Sequence, residues 1–135
     1  MRVPLALLAA LSSIATAADR DRLDGRWETT VTCANYRDAL GYSYRFASEV
    51  KQGALYGLHG TKGEAGYLEI DGHIEPDGIG RLYAQGRTGG KDFVPGRETP
   101  RGTEYGYEIE AHFDADKGSG TRLQGRPCAL RFEKQ

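Results

Sequence analysis

Between residues 27 and 132 the chain alternates apolar and polar side chains in eight short runs, separated by breaks rich in Gly and Asp. This period of two most narrows the folds open to it. Successive side chains of a strand point to opposite faces, so a run with every second residue apolar has one dry face and one wet face. The runs cover 27–33, 42–51, 54–60, 67–74, 79–85, 105–113, 120–124 and 128–132. The sixth is the plainest: Tyr105, Tyr107, Ile109, Ala111 and Phe113 share one face, and Glu108, Glu110 and His112 the other. No stretch sustains a 3.6-residue repeat. Strands with a single wet face suit an antiparallel sheet.

The breaks differ in kind. Lys51-Gln52-Gly53, Glu75-Pro76-Asp77-Gly78 and Asp114-Ala115-Asp116-Lys117-Gly118 contain the residues that hairpin turns demand. The others, 34–41, 61–66, 86–104 and 125–127, are mostly longer. In an up-and-down meander, odd and even connections emerge at opposite ends. The tight turns therefore gather at one end and the longer loops at the other.

Two cysteines, Cys33 and Cys128, complete the topology. In an eight-stranded meander that closes into a barrel, the first strand pairs antiparallel with the eighth. The end of the first then meets the start of the eighth, where the cysteines stand. Setting Cys33 opposite Cys128 also sets Val31 opposite Leu130 and Thr29 opposite Phe132, all on the dry face. A disulfide across this seam would remove the last open sheet edge. In the chain-entropy account, closing so long a loop is worth about 4–5 kcal/mol. The expected fold is thus an all-β, eight-stranded antiparallel up-and-down barrel closed by Cys33–Cys128. A two-sheet sandwich with the disulfide bridging its layers is the alternative.

The N-terminus reads as a leader. Arg2 precedes an apolar stretch from Leu5 to Leu11, and Ala15-Thr16-Ala17 forms a small-x-small cleavage site. The stretch is shorter than the roughly 20 residues that span a bilayer. Residues 1–17 are therefore expected to be a signal peptide and 18–135 one domain, periplasmic or secreted. That setting is oxidising and favours a disulfide over a zinc site for the two thiols. Without Arg2, seventeen basic residues face nineteen acidic ones. This near-neutrality argues against nucleic acid, which needs a concentrated basic surface. No polybasic or amphipathic segment suggests membrane anchoring.

Binding residues concentrate on loops carried by a rigid scaffold, so the long-loop end is the candidate working face. Its loops hold seven basic and five acidic residues, a balance that favours an anion or an acidic partner. The candidate binding residues are Arg37, Lys62, Arg87, Lys91, Phe93, Arg97 and Arg101. Phe93 and Val94 either fold back over the mouth as a lid or offer an apolar contact to another protein. The inward Trp27, Tyr42, Tyr44, Phe46, Tyr105 and Tyr107 either line a ligand cavity or fill the interior. His59, His73 and His112 form no metal-binding pattern. Glu69, Asp71, Glu108 and Glu110 alternate outward and are expected to be solvated. Neither cysteine is free for nucleophilic work, and no serine sits beside a base motif. No catalytic residue, metal or cofactor is implied.

The segments Asp24-Gly25-Arg26-Trp27, Gly41-Tyr42-Ser43-Tyr44-Arg45-Phe46, Gly118-Ser119-Gly120-Thr121-Arg122 and Arg126-Pro127-Cys128 resemble an uncharacterised family of small proteobacterial exported proteins. That resemblance implies no activity. The expected fold is also similar to those of periplasmic lysozyme and metalloprotease inhibitors and of avidin, whose functional residues are not recognisable here. The function expected is an exported, non-enzymatic binding or inhibitor-like module whose loop end engages a protein or a small polar or anionic ligand. A small-ligand carrier using the barrel interior is a second reading, and a secreted enzyme a third.

Overall fold

The computed structural model describes residues 21–135; the expected leader, 1–17, lies outside the described residues. Eight strands follow in order: β1 Gly25–Cys33, β2 Tyr42–Lys51, β3 Ala54–His59, β4 Leu68–Ile74, β5 Ile79–Arg87, β6 Glu104–Asp114, β7 Lys117–Arg122 and β8 Cys128–Lys134. Each pairs with the next, and β8 returns to β1, so the sheet is a closed barrel and not a sandwich. At the seam Thr29 lies opposite Phe132, Val31 opposite Leu130 and Cys33 opposite Cys128. The two cysteines are joined, with Cα atoms 4.1 Å apart.

The boundaries moved most at β7, which starts at Lys117 and not at Gly120. Gly118 looked like a turn residue, yet it lies in the strand opposite Phe113. A Cβ there would come within 2.8 Å of the Phe113 ring, closer than real packing allows. Gly118 is thus a space-giving residue of the wall, and the turn takes only Ala115 and Asp116. Gly57 plays the same part in β3, where a Cβ would strike Ser48 Oγ and sit 2.9 Å from the Phe46 ring. At the other end, β5 and β6 run further than expected, until Arg87 faces Glu104. The long loop between them contains one 3-10 turn, Lys91–Phe93.

The interior is not uniform along its axis. Around the tight turns it is solid, filled by Trp27, Leu55, Phe113 and Phe132, all fully buried. Trp27 meets Phe113 edge-on at 5.4 Å, and Phe113 meets Phe132 at 4.7 Å, separations at which aromatic pairs attract. The turn at residues 21–23 plugs this end. Leu23 is buried, and its carbonyl accepts a 2.8 Å hydrogen bond from Trp27 Nε1. Thr29 and Ser48 share a buried hydroxyl–hydroxyl bond of 2.7 Å, so both polar groups are satisfied. No helix among the described residues is long and apolar enough to cross a membrane.

Candidate functional site

At the opposite end the packing gives way to a cavity of about 450 Å³, within the roughly 300–1,000 Å³ range of small-molecule pockets. Its walls come from strand ends, where the period of two keeps every second side chain pointing inward. β2 contributes Tyr42 and Tyr44, β6 Tyr105, and β3 His59. Tyr107 lies one inward step deeper on β6, and its ring is stacked with that of Tyr105, 14° from parallel. The Tyr42 and Tyr44 rings are within 2° of parallel at 5.5 Å. His59 stacks on Tyr44 at 4.2 Å, and its buried Nδ1 has no hydrogen-bond partner. Burial holds the Tyr44 and Tyr107 phenols well above their ordinary range, and pushes Tyr105 up to about 12. At neutral pH these three phenols are therefore uncharged.

Three arginines and one carboxylate line the same space: Arg87, Arg122, Arg126 and Glu104. Arg87 and Glu104 neutralise each other, with Nη2 to Oε1 at 3.2 Å. The other two guanidiniums have no carboxylate in ion-pair range among the described residues. Arg126 is only 6% exposed. It donates from Nη1 to Phe93 O at 2.8 Å, and from Nη2 to Ala34 O at 2.7 Å and Leu40 O at 3.1 Å. A guanidinium has five N–H donors, so two remain, and its buried Nε is unpartnered. Arg122 places its guanidinium carbon over the Tyr107 ring, 4.1 Å from the centroid. Its Nε is held by Gln124 O, which leaves both Nη groups free. Two uncompensated cations in a largely apolar cavity make a site for negative charge.

The long loop is an ordered cover. Its neck is tied by Thr88 N to Thr103 O at 2.9 Å and Gly102 N to Thr88 O at 2.8 Å. Its tip docks on the β1–β2 loop through Leu40 N to Asp92 O and Gly96 N to Asp38 Oδ1, both 2.8 Å. Phe93 folds back over the mouth and meets the Tyr42 ring edge-on at 6.0 Å, yet stays 42% exposed.

Of the expected binding residues, Arg87 and Phe93 line the cavity. Arg37 stands on the rim over Tyr36, and Arg97 is engaged by Asp92 and by Asp38 O. Lys91 and Arg101 are exposed on the cover. Lys62 points away, to the outer wall, where its Nζ lies 3.0 Å from Glu69 Oε2. Glu69 was expected to be solvated but is 5% exposed. Lys62 arches over it, while Tyr56 and Gln85 each donate to it at 2.8 Å. Neighbours on adjacent strands, rather than its own strand's alternation, bury it.

Arg122, Arg126 and His59 were not among the expected binding residues. Arg122 was legible as the third inward position of the series Gly118, Gly120, Arg122. A larger groove of about 670 Å³ runs along the outer wall past Tyr56, Tyr83 and Leu123. Wet-face side chains line most of it, with Leu55, Leu82 and Ile109 at its floor, and none of them is a buried polar group left unpaired. No group of three or more potential metal ligands gathers among the described residues. Neither a family model, a curated protein nor a solved structure matches the chain.

Proposed function

We propose that the protein is an exported, non-enzymatic binding module that takes a small anionic ligand into the mouth at its long-loop end. One observation carries the reading: Arg122 and Arg126 line a cavity of about 450 Å³, and among the described residues no carboxylate balances either. A buried guanidinium facing only carbonyls and an aromatic ring is desolvated without an opposing charge, and a bound anion supplies that charge. The Tyr44, Tyr105 and Tyr107 phenols stay neutral, so they do not compete for the arginines. The leader-like N-terminus supports the exported setting, in which the disulfide is stable.

A thermal-shift screen with sets of small anionic, neutral and cationic compounds tests this. Anions should raise the melting temperature of the protein, and Arg122→Glu should abolish the shift. Hits drawn mainly from cations, or anion shifts that survive Arg122→Glu, would overturn the reading.

A protein partner at the rim is the second reading. It is favoured by Phe93, an aromatic held in a fixed position while 42% exposed, as interface anchors are. Under it, Phe93→Ala abolishes capture of a partner from periplasmic extract while Arg122→Glu leaves capture intact.

A further inference from the structure

Resting on the mouth as an anion site, we infer that its ligand is a compact aromatic carboxylate, with its ring among the tyrosines and its carboxylate on Arg122 and Arg126. Depth, shape and charge each narrow the choice.

Depth excludes long chains. Below Phe46 and Tyr107 the barrel is filled by Trp27, Leu55, Phe113 and Phe132, all at 2% exposure or less. An acyl chain entering from the mouth therefore has no channel to follow along the axis. A ligand is therefore confined to the mouth above that floor.

Shape favours a ring. The upper wall is built from flat faces in two sets, Tyr42–Tyr44 on β2 and Tyr105–Tyr107 on β6, with His59 parallel to Tyr44 within 19°. Tyr42, Tyr44 and Tyr105 present ring faces and edges to the cavity above them, and another ring meets them in the offset or edge-on geometries that aromatic pairs prefer. An aryl carboxylate is flat throughout, so its acidic head follows the plane of its ring.

Charge places the head. The uncompensated cations lie on the β7–β8 side of the mouth, since Arg122 ends β7 and Arg126 stands in the loop that follows. Arg126 retains two N–H donors after its three carbonyl contacts, and its buried Nε has no partner. Both Nη groups of Arg122 are free, with the guanidinium fixed over Tyr107. Planar guanidinium donors match a two-oxygen acceptor. The unpartnered Nδ1 of His59 adds a polar contact for a ring substituent such as a hydroxyl or an indole N–H.

Calorimetric titration of the protein with benzoate, indole-3-carboxylate, benzamide, laurate and phenyl phosphate is the test. The two aryl carboxylates should bind at one site. Benzamide, which keeps the ring and loses the charge, and laurate, which keeps the charge and loses the ring, should each bind at least tenfold more weakly. Arg122→Gln should weaken benzoate at least tenfold, and Arg131→Gln, on the outer face, should leave it unchanged. Amide NMR shifts on adding benzoate should cluster at Tyr44, His59, Tyr105, Arg122 and Arg126, a readout independent of the variants' stability. Benzamide binding as tightly as benzoate, or shifts confined to the outer wall, would overturn the assignment. If laurate or phenyl phosphate binds in the mouth more tightly than benzoate, the aromatic carboxylate is wrong and the anion site stands. If none of the five compounds binds, the aromatic carboxylate falls; the anion site falls with it if the wider anion screen also yields no shift dependent on Arg122.

Discussion

The two ends of this barrel are built from the same strands, with the same alternation, and they reach opposite outcomes. At the turn end the inward positions hold Trp27, Val50, Leu55, Ile74, Phe113 and Phe132, and the interior is filled. At the loop end they hold tyrosines, His59 and Arg122, and a cavity remains. Size does not separate the two sets, since tyrosine is as bulky as phenylalanine. What separates them is polarity at the tip. A phenol or guanidinium needs a partner or water near its end, so Tyr44 and Tyr105 pair their hydroxyls from opposite walls, and toward the mouth the axis stays open. Apolar side chains have no such requirement and collapse across it. Backbone periodicity thus sets which residues point inward, and the chemistry of their tips sets whether the interior is solid or hollow.

Truncating one large ring at each end breaks this comparison most forcefully. Trp27→Ala should cost about 4 kcal/mol, because it leaves a dry void with no route for solvent. Tyr105→Ala should cost about 2 kcal/mol, since the lost surface burial matters but the new space opens into an existing cavity. Urea melts of the two variants check the gap. Equal losses would mean that the mouth is as tightly packed as the core.

Removing the seam disulfide comes next. Cys33→Ser with Cys128→Ser should lower stability by about 3 kcal/mol, less than the loop-entropy ideal because seven paired positions of β1 and β8 still align the seam. Hydrogen exchange sharpens the comparison. The Cys33 end of the seam should lose protection while the Trp27 end, held from within by its packing, keeps it. Uniform loss along β1 would show that the two ends unfold as one unit.

How far the sequence foretold these ends follows the same division. The closed barrel and its seam register were legible because three independent constraints coincide: the period of two, an even number of strands and two cysteines at meeting ends. The inward tyrosines were legible too, from alternation alone, but whether they filled or lined the interior was not. That depends on how tips on opposite walls meet, which no single strand encodes. Arg126 was hidden more deeply. It is buried because the 91–95 segment and the 34–41 loop both fold their carbonyls onto it, a contact between distant loops with no periodic signal. Gly118 misled by type, since the same residue serves a turn or a tight wall contact. Lys62 was rightly placed in a loop, but its partner Glu69 stands on the wet face of β4, so it turned from the mouth to the outside.

Alkaline titration probes the hollow end directly. The folded protein keeps the Tyr44, Tyr105 and Tyr107 phenols protonated above their usual 10.0, chiefly through burial. The unfolded chain gives up those protons first, so this contribution is whole below about pH 10 and drains as the pH rises through the folded values. Absorbance at 295 nm should therefore rise in two stages, with Tyr44, Tyr105 and Tyr107 ionising only as the barrel opens. A single-stage rise near pH 10 would show that water reaches the mouth freely.

The smallest expected effect concerns the outer support of the rim. Hydrogen bonds from Gln85, Lys62 and Tyr56 hold the Glu69 carboxyl below the usual carboxylate value near 4.5. On acidification the unfolded chain takes up this proton before the folded one does. The stabilisation is thus complete above about pH 5 and fades as the pH falls through 4.5 toward the lower folded value. Glu69→Gln keeps the shape and some of the hydrogen bonds but loses the charge. It should cost about 1 kcal/mol at pH 7, a modest figure because only a single layer of side chains separates the carboxylate from water. At pH 3 that gap should be smaller, since the unfolded wild-type chain has by then taken up the Glu69 proton and part of the stabilisation is lost. Denaturant melts at the two pH values decide it. A gap of equal size at both would trace the loss to altered packing on β4, and would leave the rim loop at 60–67 anchored by its backbone bonds alone.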